Sequence, residues 1–539
     1  LVRLFTTVAG LRCYLGGIKS QQRQIGKEDT IFASSHPAFE IGFVPTMGAL
    51  HEGHLSLMRL ARQENDVVVV SIFVNPLQFG PNEDFRHYPR TLEQDRQLCE
   101  QVGVDVIFAP MATELYGAAG GDATGPVNNE QMTQVIPPNF MMAGLCGRFR
   151  PGHFQGVATV VVKLLTIVQP ERAYFGQKDA QQLAIIRHVV ADLNLPVEIR
   201  ACPIVRDVSG LAMSSRNQYL TVAERSQATV LYRSLQRAKQ LFHSGNHSSH
   251  DLITAVKEEV ATVPAVRLQY VELVHPETMV PLARVDEEGL LAIAAHAGPT
   301  RLIDNILLRN RKPIVAIDGP AGAGKSTVMH QVAQALGLLY LDTGAMYRAV
   351  TWLVLQSGIP IEDEAAVAEL VSQCHITIAG QSSDFKILIN GQDVTQKIRS
   401  LEVTAHVSAI AAQPFVRRKL VEQQQEFGCR GGVVMNGRDI GTQVFPDAEL
   451  KIFLTASVQE RARRRQKDLK DQGQLEVSLE ALEQAIYTRD QKDSSRKTSP
   501  LRKAPDAIEI QTDGLTIDEV TAKIVNLYYM KLSENKPIG

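Results

Sequence analysis

Short uninterrupted runs of apolar residues punctuate this chain at Ile41–Val44, Val67–Val74, Val104–Phe108, Ile314–Ile317, Val433–Met435 and Leu450–Leu454. Lacking the alternation of a half-exposed strand, they predict strands buried on both faces, and the stretches between them carry helical periodicity. The pattern predicts an α/β fold with a parallel sheet in each half. Arg309-Asn310-Arg311-Lys312 separates the apolar Ile306-Leu307-Leu308 from the next strand, which sets parts at about 1–308 and 311–539. Gly117–Glu130, rich in Gly, Ala and Asn, reads as a surface insertion, and His243–His250 as a polar loop between helices.

Composition narrows the class without naming a chemistry. A chain of 539 residues has room for about three or four compact units. Hydrophobic residues at 44% and charged residues at 21% allow sizeable cores and oppose extensive disorder. The net charge of −2 gives no global attraction to nucleic acid or an anionic membrane, so any anionic ligand must be bound locally. Cys13, Cys99, Cys146, Cys202, Cys374 and Cys429 show no metal-type spacing and read as reduced thiols of a cytoplasmic protein. Leu1–Ser20 is broken by Arg3, Arg12 and Gly16-Gly17, so no signal-peptide core or membrane span is expected.

Gly319-Pro320-Ala321-Gly322-Ala323-Gly324-Lys325-Ser326 fits the phosphate-loop pattern at every fixed position. A buried strand, Pro313–Asp318, precedes it, and Ser326-Thr327-Val328-Met329 opens a helix. Its backbone N–H groups can turn around polyphosphate oxygens, Lys325 can reach the β- and γ-phosphates, and the Ser326 hydroxyl can ligate Mg²⁺. GTPases, ATPases and kinases share such a loop. Asp342-Thr343-Gly344-Ala345-Met346-Tyr347-Arg348 then offers a hydroxyl, a phenol and a guanidinium to a second phosphate, which suits a nucleoside monophosphate kinase. Arg461-Ala462-Arg463-Arg464-Arg465 alone reads as a solvated helix face or a nucleic-acid patch, but beside a phosphate loop it reads as a closing lid.

With Ile389-Asn390-Gly391-Gln392-Asp393-Val394-Thr395, Arg438-Asp439-Ile440-Gly441-Thr442 and Tyr487-Thr488-Arg489-Asp490, this half resembles cytidylate kinases of the bacterial type. The resemblance implies phosphoryl transfer from ATP to CMP or dCMP, a monophosphate-binding insertion at about 367–427 and a lid at about 457–497. It assigns ATP to Gly319 through Gly324, Ser326 and Thr327, and catalysis to Lys325, Arg438 and Asp439. It gives the acceptor nucleotide to Thr343, Tyr347, Arg348, Arg489 and Arg496, with Ser408, Arg417 and Asp493 reading the base. One departure is Asn436, where the family usually carries an acidic residue before Gly-Arg-Asp.

In the first half, Pro45-Thr46-Met47-Gly48-Ala49-Leu50-His51-Glu52-Gly53-His54 follows a buried strand and begins a helix, placing N–H groups and two imidazoles where a phosphate could sit. Taken alone, a histidine pair that only caps the helix is the competing reading. Four further segments accompany it: Val74-Asn75-Pro76-Leu77-Gln78-Phe79, Arg150-Pro151-Gly152-His153-Phe154, Phe175-Gly176-Gln177-Lys178-Asp179-Ala180-Gln181-Gln182 and Leu211-Ala212-Met213-Ser214-Ser215-Arg216-Asn217. In that order they resemble pantothenate synthetases.

That resemblance implies a Rossmann-like nucleotidyltransferase part at about 1–194 and a small carboxy-terminal part at about 195–308. It implies ATP-driven condensation of pantoate with β-alanine through pantoyl adenylate, and a homo-oligomer formed through this half. His54, His51, Lys178, Ser214, Ser215 and Arg216 take the catalytic positions. Met47, Gly48, Ala49, Leu50, Glu52, Gly53, Gly176, Gln177, Asp179, Val205 and Met213 match the ATP segments, while Gln78, Gln182, Asn75, Arg150 and His153 match the substrate positions. Together the halves imply two enzymes in one chain, both using ATP and Mg²⁺ on small molecules and neither binding nucleic acid or membrane. The rivals keep the nucleotide sites with different acceptors, or make one half an inactive nucleotide-binding scaffold.

Overall fold

The computed structural model describes residues 2–28, 39–80, 83–117, 132–379, 386–471, 477–495 and 500–534. Apart from Gly117, the expected insertion at Gly117–Glu130 lies outside these residues, as does Arg496. The backbone divides into two compact units, Leu1–Asn310 and Arg311–Ile538.

The first unit is built on β1 (Arg3–Phe5), β2 (Ile41–Thr46), β3 (Val67–Ile72), β4 (Val106–Phe108), β5 (Arg172–Gly176) and β6 (Glu198–Cys202). They form one parallel sheet in the order β1-β4-β3-β2-β5-β6. Phe43, Val69, Phe108 and Phe175 pack on one face with Val160 and Leu164 of the helix His153–Val168. Val44, Val68, Val70 and Ile107 pack on the other with Met58 of the helix Glu52–Glu64. Strand order reverses between β2 and β5, so the loops leaving their carboxyl ends flank a crevice where an open parallel sheet binds ligands. The segments that begin at Met47 and Gln177 leave those two strands.

β6 lies beyond the boundary expected near Leu195 yet completes the parallel sheet beside β5. Its half-buried edge sequence, with Glu198 and Arg200, offers no apolar run to mark it. An antiparallel sheet also follows that the apolar pattern did not announce, made of β7 (Val266–Val274), β8 (Glu288–Ala297) and β9 (Thr300–Arg309). Leu235 and Val256, from the helices Val230–His243 and Ser249–Ala261, pack against Ile293 of β8.

The second unit centres on a parallel sheet ordered β11-β15-β10-β16-β17. Its strands are β10 (Lys312–Asp318), β11 (Leu339–Asp342), β15 (Gly431–Asn436), β16 (Leu450–Thr455) and β17 (Ile508–Gln511). Val328, Met329 and Val332 of the helix Lys325–Leu336 meet Ile524 and Tyr528 of the helix Ile517–Glu534 over it. A small antiparallel sheet of β12 (Ile376–Ala379), β13 (Lys386–Ile389) and β14 (Gln392–Asp393) shares a separate core with the helices Leu401–Ala412 and Pro414–Gly428. The helices Val458–Asp471 and Leu479–Ser495 carry the arginine-rich segment and Tyr487–Asp490. Among the described residues no helix is long and apolar enough to cross a membrane, and the six cysteines are free thiols.

Candidate active sites

His51 caps the helix Glu52–Glu64, with its Nδ1 accepting from Gly53 N–H at 3.1 Å, and His54 Nδ1 accepts from His51 N–H at 3.4 Å. An accepting Nδ1 leaves the proton on Nε2, so each imidazole is a neutral donor. Burial, reinforced by Lys178, lowers the His51 pKa to about 4. Burial also pushes His54 well below its ordinary value, with His51 and Lys178 adding to the shift. The rings lie 4.0 Å apart, and a Cβ on Gly53 would stand 2.9 Å from the His51 ring, so glycine is what lets them pack.

The loop before this helix is not an open cradle. Buried Asp95, in the first turn of the helix Leu92–Gln101, accepts from Ala49 N–H at 3.0 Å and Leu50 N–H at 2.8 Å. Gly48 N–H donates to Thr46 Oγ1 at 3.2 Å. Those amides, expected to face an anion, instead fix the loop's path, and each imidazole keeps an Nε2–H to donate. Ser215 Oγ donates to the Ala49 carbonyl at 3.0 Å, which brings the Ser214-Ser215-Arg216 segment to the same loop. Met213 N–H donates to the Val205 carbonyl at 2.9 Å, and Met213 lies beside Gly53.

The expected substrate residues form a connected group. Gln78 donates to Met47 Sδ at 2.8 Å, and Asn75 donates to Gln78 Oε1 at 3.3 Å while accepting from Tyr116 at 2.8 Å. His153 Nδ1 donates to the Gln78 carbonyl at 2.7 Å, and its Nε2 accepts from Arg150 at 2.9 Å. Burial, then Arg150, lowers its pKa to about 3. Arg150 is held by Glu83 through two contacts of 2.6 Å, and Arg216 by Asp84 at 2.9 and 3.1 Å. A cavity of about 70 Å³ is lined by Arg150, His153, Lys178, Gln182, Ser214 and Arg216 among others. Gly176, Gln177 and Asp179 lie on its β5 side, where Asn305 of β9 donates to the Gln177 and Lys178 carbonyls.

In the second unit the phosphate loop runs from Gly319 to Gly324 between β10 and the helix Lys325–Leu336, with Ser326 and Thr327 in that helix's first turn. Gly319 has φ of +148°, and a Cβ there would fall 2.1 Å from the Leu454 carbonyl oxygen, so only glycine fits. Lys325 Nζ donates to the Gly319 and Pro320 carbonyls at 2.6 and 2.7 Å. Burial, with Arg438 and Arg489 nearby, lowers its pKa to about 7. Buried Asp318 accepts from Ile440 N–H at 2.8 Å and Gly441 N–H at 2.7 Å, tying the turn after Arg438-Asp439 beneath the loop. Burial raises its pKa to about 7.

Cations converge here. Burial lowers the Arg489 pKa, and its neighbours Arg465 and Arg348 push the same way. Arg348 also pairs with Asp342 at 2.9 Å, and Arg438 with Asp493. Arg417 donates to Asp439 at 2.6 Å beneath the Tyr347 ring, whereas Ser408 is exposed on the helix Leu401–Ala412. Thr343 donates to the Asn436 carbonyl at 2.6 Å, and Asn436 Nδ2 reaches Ser326 Oγ at 3.3 Å. The arginines of the helix Val458–Asp471 make separate contacts. Arg461 joins Asp490 to the Ala321 carbonyl at 3.2 Å, and Arg464 joins Thr512 to Glu460.

Sequence reasoning missed Glu83, Asp84, Asp95, Asp304, Asn305 and Asp318 as functional residues. Each acts on a segment distant in the chain, Glu83, Asp84, Asp95 and Asn305 on site residues themselves and Asp304 and Asp318 on residues beside them.

A family model described as pantoate–β-alanine ligase matches residues 18–307, and one described as cytidylate kinase matches residues 315–530. A bifunctional pantoate ligase/cytidylate kinase of Nostoc sp. is 61% identical over 538 residues, covering 99% of this chain and all of the relative. That of Trichodesmium erythraeum is 58% identical over 544 residues, covering 100% of both chains. Among solved structures, a pantothenate synthetase from Thermus thermophilus is 43% identical, with a TM-score of 0.49, over 57% of this chain and 99% of its own.

Proposed function

Because the chain belongs to the family of bifunctional pantoate ligase/cytidylate kinases, we propose that each activity is carried by the crevice of one unit, through the residues assembled there. The chain has pantoate–β-alanine ligase and cytidylate kinase activities.

In the ligase crevice, pantoate lies against Gln78, Asn75, His153 and Gln182, and its carboxylate attacks the α-phosphate of ATP. Pyrophosphate leaves, and the β-alanine amine then displaces AMP from pantoyl adenylate. His51 and His54 donate Nε2–H to the charge that grows on the phosphate oxygens, while Lys178 supplies a cation. Ser214, Ser215 and Arg216 close the opposite side, and Arg216 exchanges Asp84 for phosphate. The ATP segments are Met47 through Gly53, Gly176 through Asp179, Val205 and Met213. The observation that carries this assignment is the neutral donor pair, 4.0 Å apart, at the switch point of the parallel sheet.

In the kinase crevice, ATP occupies the phosphate loop and CMP or dCMP the face formed by Thr343, Tyr347, Arg348, Arg417 and Asp493, with Ser408 closing on the base. Arg438, Arg489 and Lys325 stabilise the phosphoryl group in transit. Mg²⁺ fits the oxygen chemistry present, because Ser326 offers a hydroxyl and Asn436 Oδ1 is buried without a partner among the described residues. Ser326 would hold the ion, with Asn436 reaching it through water. Bound there, it neutralises charge on the β- and γ-phosphate oxygens. The convergence of Lys325, Arg348, Arg438, Arg465 and Arg489 carries this assignment. Cysteines spaced without a disulfide framework support a cytoplasmic setting for both reactions, and the likeness of the first half to pantothenate synthetases supports oligomerisation through the ligase unit.

Pyrophosphate release and CDP formation, measured separately on full-length His54→Ala and Lys325→Ala, test both assignments. Each substitution removes one activity and spares the other. Survival of both activities in either variant overturns that site.

A further inference from the structure

Asp304 and Asn305 are neighbours on β9 that hold two separate segments of the ligase crevice. Asn305 Nδ2 donates to the Gln177 carbonyl at 3.0 Å and to the Lys178 carbonyl at 2.9 Å. Asp304 accepts from both terminal nitrogens of Arg206, at 2.6 and 2.8 Å. Arg206 in turn donates to the Gly210 carbonyl at 3.1 Å and lies 4.2 Å over the Tyr232 ring, bracing the turn between Val205 and Met213. Asp304 and Asn305 are 3% and 7% exposed, and both line the cavity beside Lys178. β9 already pairs along its whole length with β8 through backbone bonds, so these side chains are not needed to form the sheet.

We propose that Asn305 is a positioning residue for the ligase reaction, fixing the backbone at Gln177–Lys178 and thereby where the Lys178 ammonium meets the reacting phosphate. The proposal rests on Lys178 stabilising charge in that step. A lysine head rides on a flexible four-carbon stem, so its placement is no better than that of the backbone beneath it. A neutral amide suits the task because it grips two carbonyls without adding a charge beside the ammonium. The antiparallel sheet thus reaches the chemistry through one side chain and braces a second ATP segment through its neighbour.

The test uses full-length Asn305→Ala, Asn305→Ser, Lys178→Ala and the Asn305→Ala/Lys178→Ala double variant. CDP formation by the same preparations normalises for intact kinase unit, and KM for ATP and pantoate reports whether the ligase crevice itself is intact. Asn305→Ala is expected to lower kcat for pantothenate about tenfold to a hundredfold, with KM for pantoate within about threefold and CDP formation unchanged. Serine keeps a donor and restores part of kcat. Acting through Lys178, the substitution adds nothing to Lys178→Ala, so the double variant is no slower than that single one. A wild-type kcat in Asn305→Ala, equal kcat in the serine and alanine variants, or losses that multiply in the double variant would each overturn the proposal. Full activity in Lys178→Ala instead removes the role given to Lys178.

Discussion

In the ligase crevice the two imidazoles are neutral, and the two nearby arginines each rest on a carboxylate, Arg150 on Glu83 and Arg216 on Asp84. In the kinase crevice Lys325 and Arg489 are buried near like charges and hold their protons less firmly for it. The difference follows the chemistry. Adenylation brings a substrate carboxylate to a phosphate, and uncharged imidazole donors beside a single lysine, Lys178, with arginines released only by exchange, limit the cost of unpaired buried cations. Phosphoryl transfer spreads charge over several oxygens of the moving group, and only a gathering of cations matches it. On the proposed assignment, the like-charge repulsion in the second unit would be relieved by its own substrates.

The comparison breaks first at Arg489. If the gathered cations do the catalytic work, Arg489→Ala lowers kcat for CDP formation about a thousandfold and leaves pantothenate formation untouched. A loss below tenfold would put the work elsewhere. The ligase counterpart is Asp95, which acts by shaping a loop. Asp95→Ala frees the Ala49 and Leu50 amides and should lower ligase kcat/KM for ATP about tenfold to a hundredfold, roughly the worth of one hydrogen bond to a charged group. Unchanged kinetics would mean that the loop holds its path unaided.

Part of this was legible along the chain and part was not. The phosphate loop was, because its glycines, Lys325 and Ser326 act within one turn of backbone, where spacing and geometry coincide. The central strands β2, β3, β4, β10, β15 and β16 were also legible, since burial on both faces leaves an apolar run. β6 and β7 carry Glu198, Arg200, Arg267 and Glu272, so exposure on one side erased the signal. Asp95 reads as one more polar residue of a helix, and its meaning appears only when folding brings it to an amide 46 positions earlier. Asn305 acts across 127 positions on Lys178, a relation that no local pattern encodes. Residues proposed to touch the ligands cluster in motifs, whereas those that hold them in place are scattered.

The smallest expected effect separates the two sites by their protons. With its pKa near 7, the Lys325 amine is largely neutral at pH 8, and an arriving polyphosphate anion raises that pKa and draws a proton. Uptake at pH 8 should approach about one proton per kinase site and vanish at pH 6, where the amine is already charged. Calorimetric titration of an ATP analogue into His54→Ala, in buffers of different ionisation heat, reads this directly, and Lys325→Ala abolishes it. No uptake at pH 8 would mean that the amine is charged before ATP arrives.

The central claim is that two unrelated loops, one capped by His51 and one built around Lys325, each hold their own nucleotide. Equilibrium titration of the full-length protein with a non-hydrolysable ATP analogue addresses it most directly. Two saturable sites per chain are expected, one of them lost in Lys325→Ala. A single site, or two that disappear together, would contradict the account.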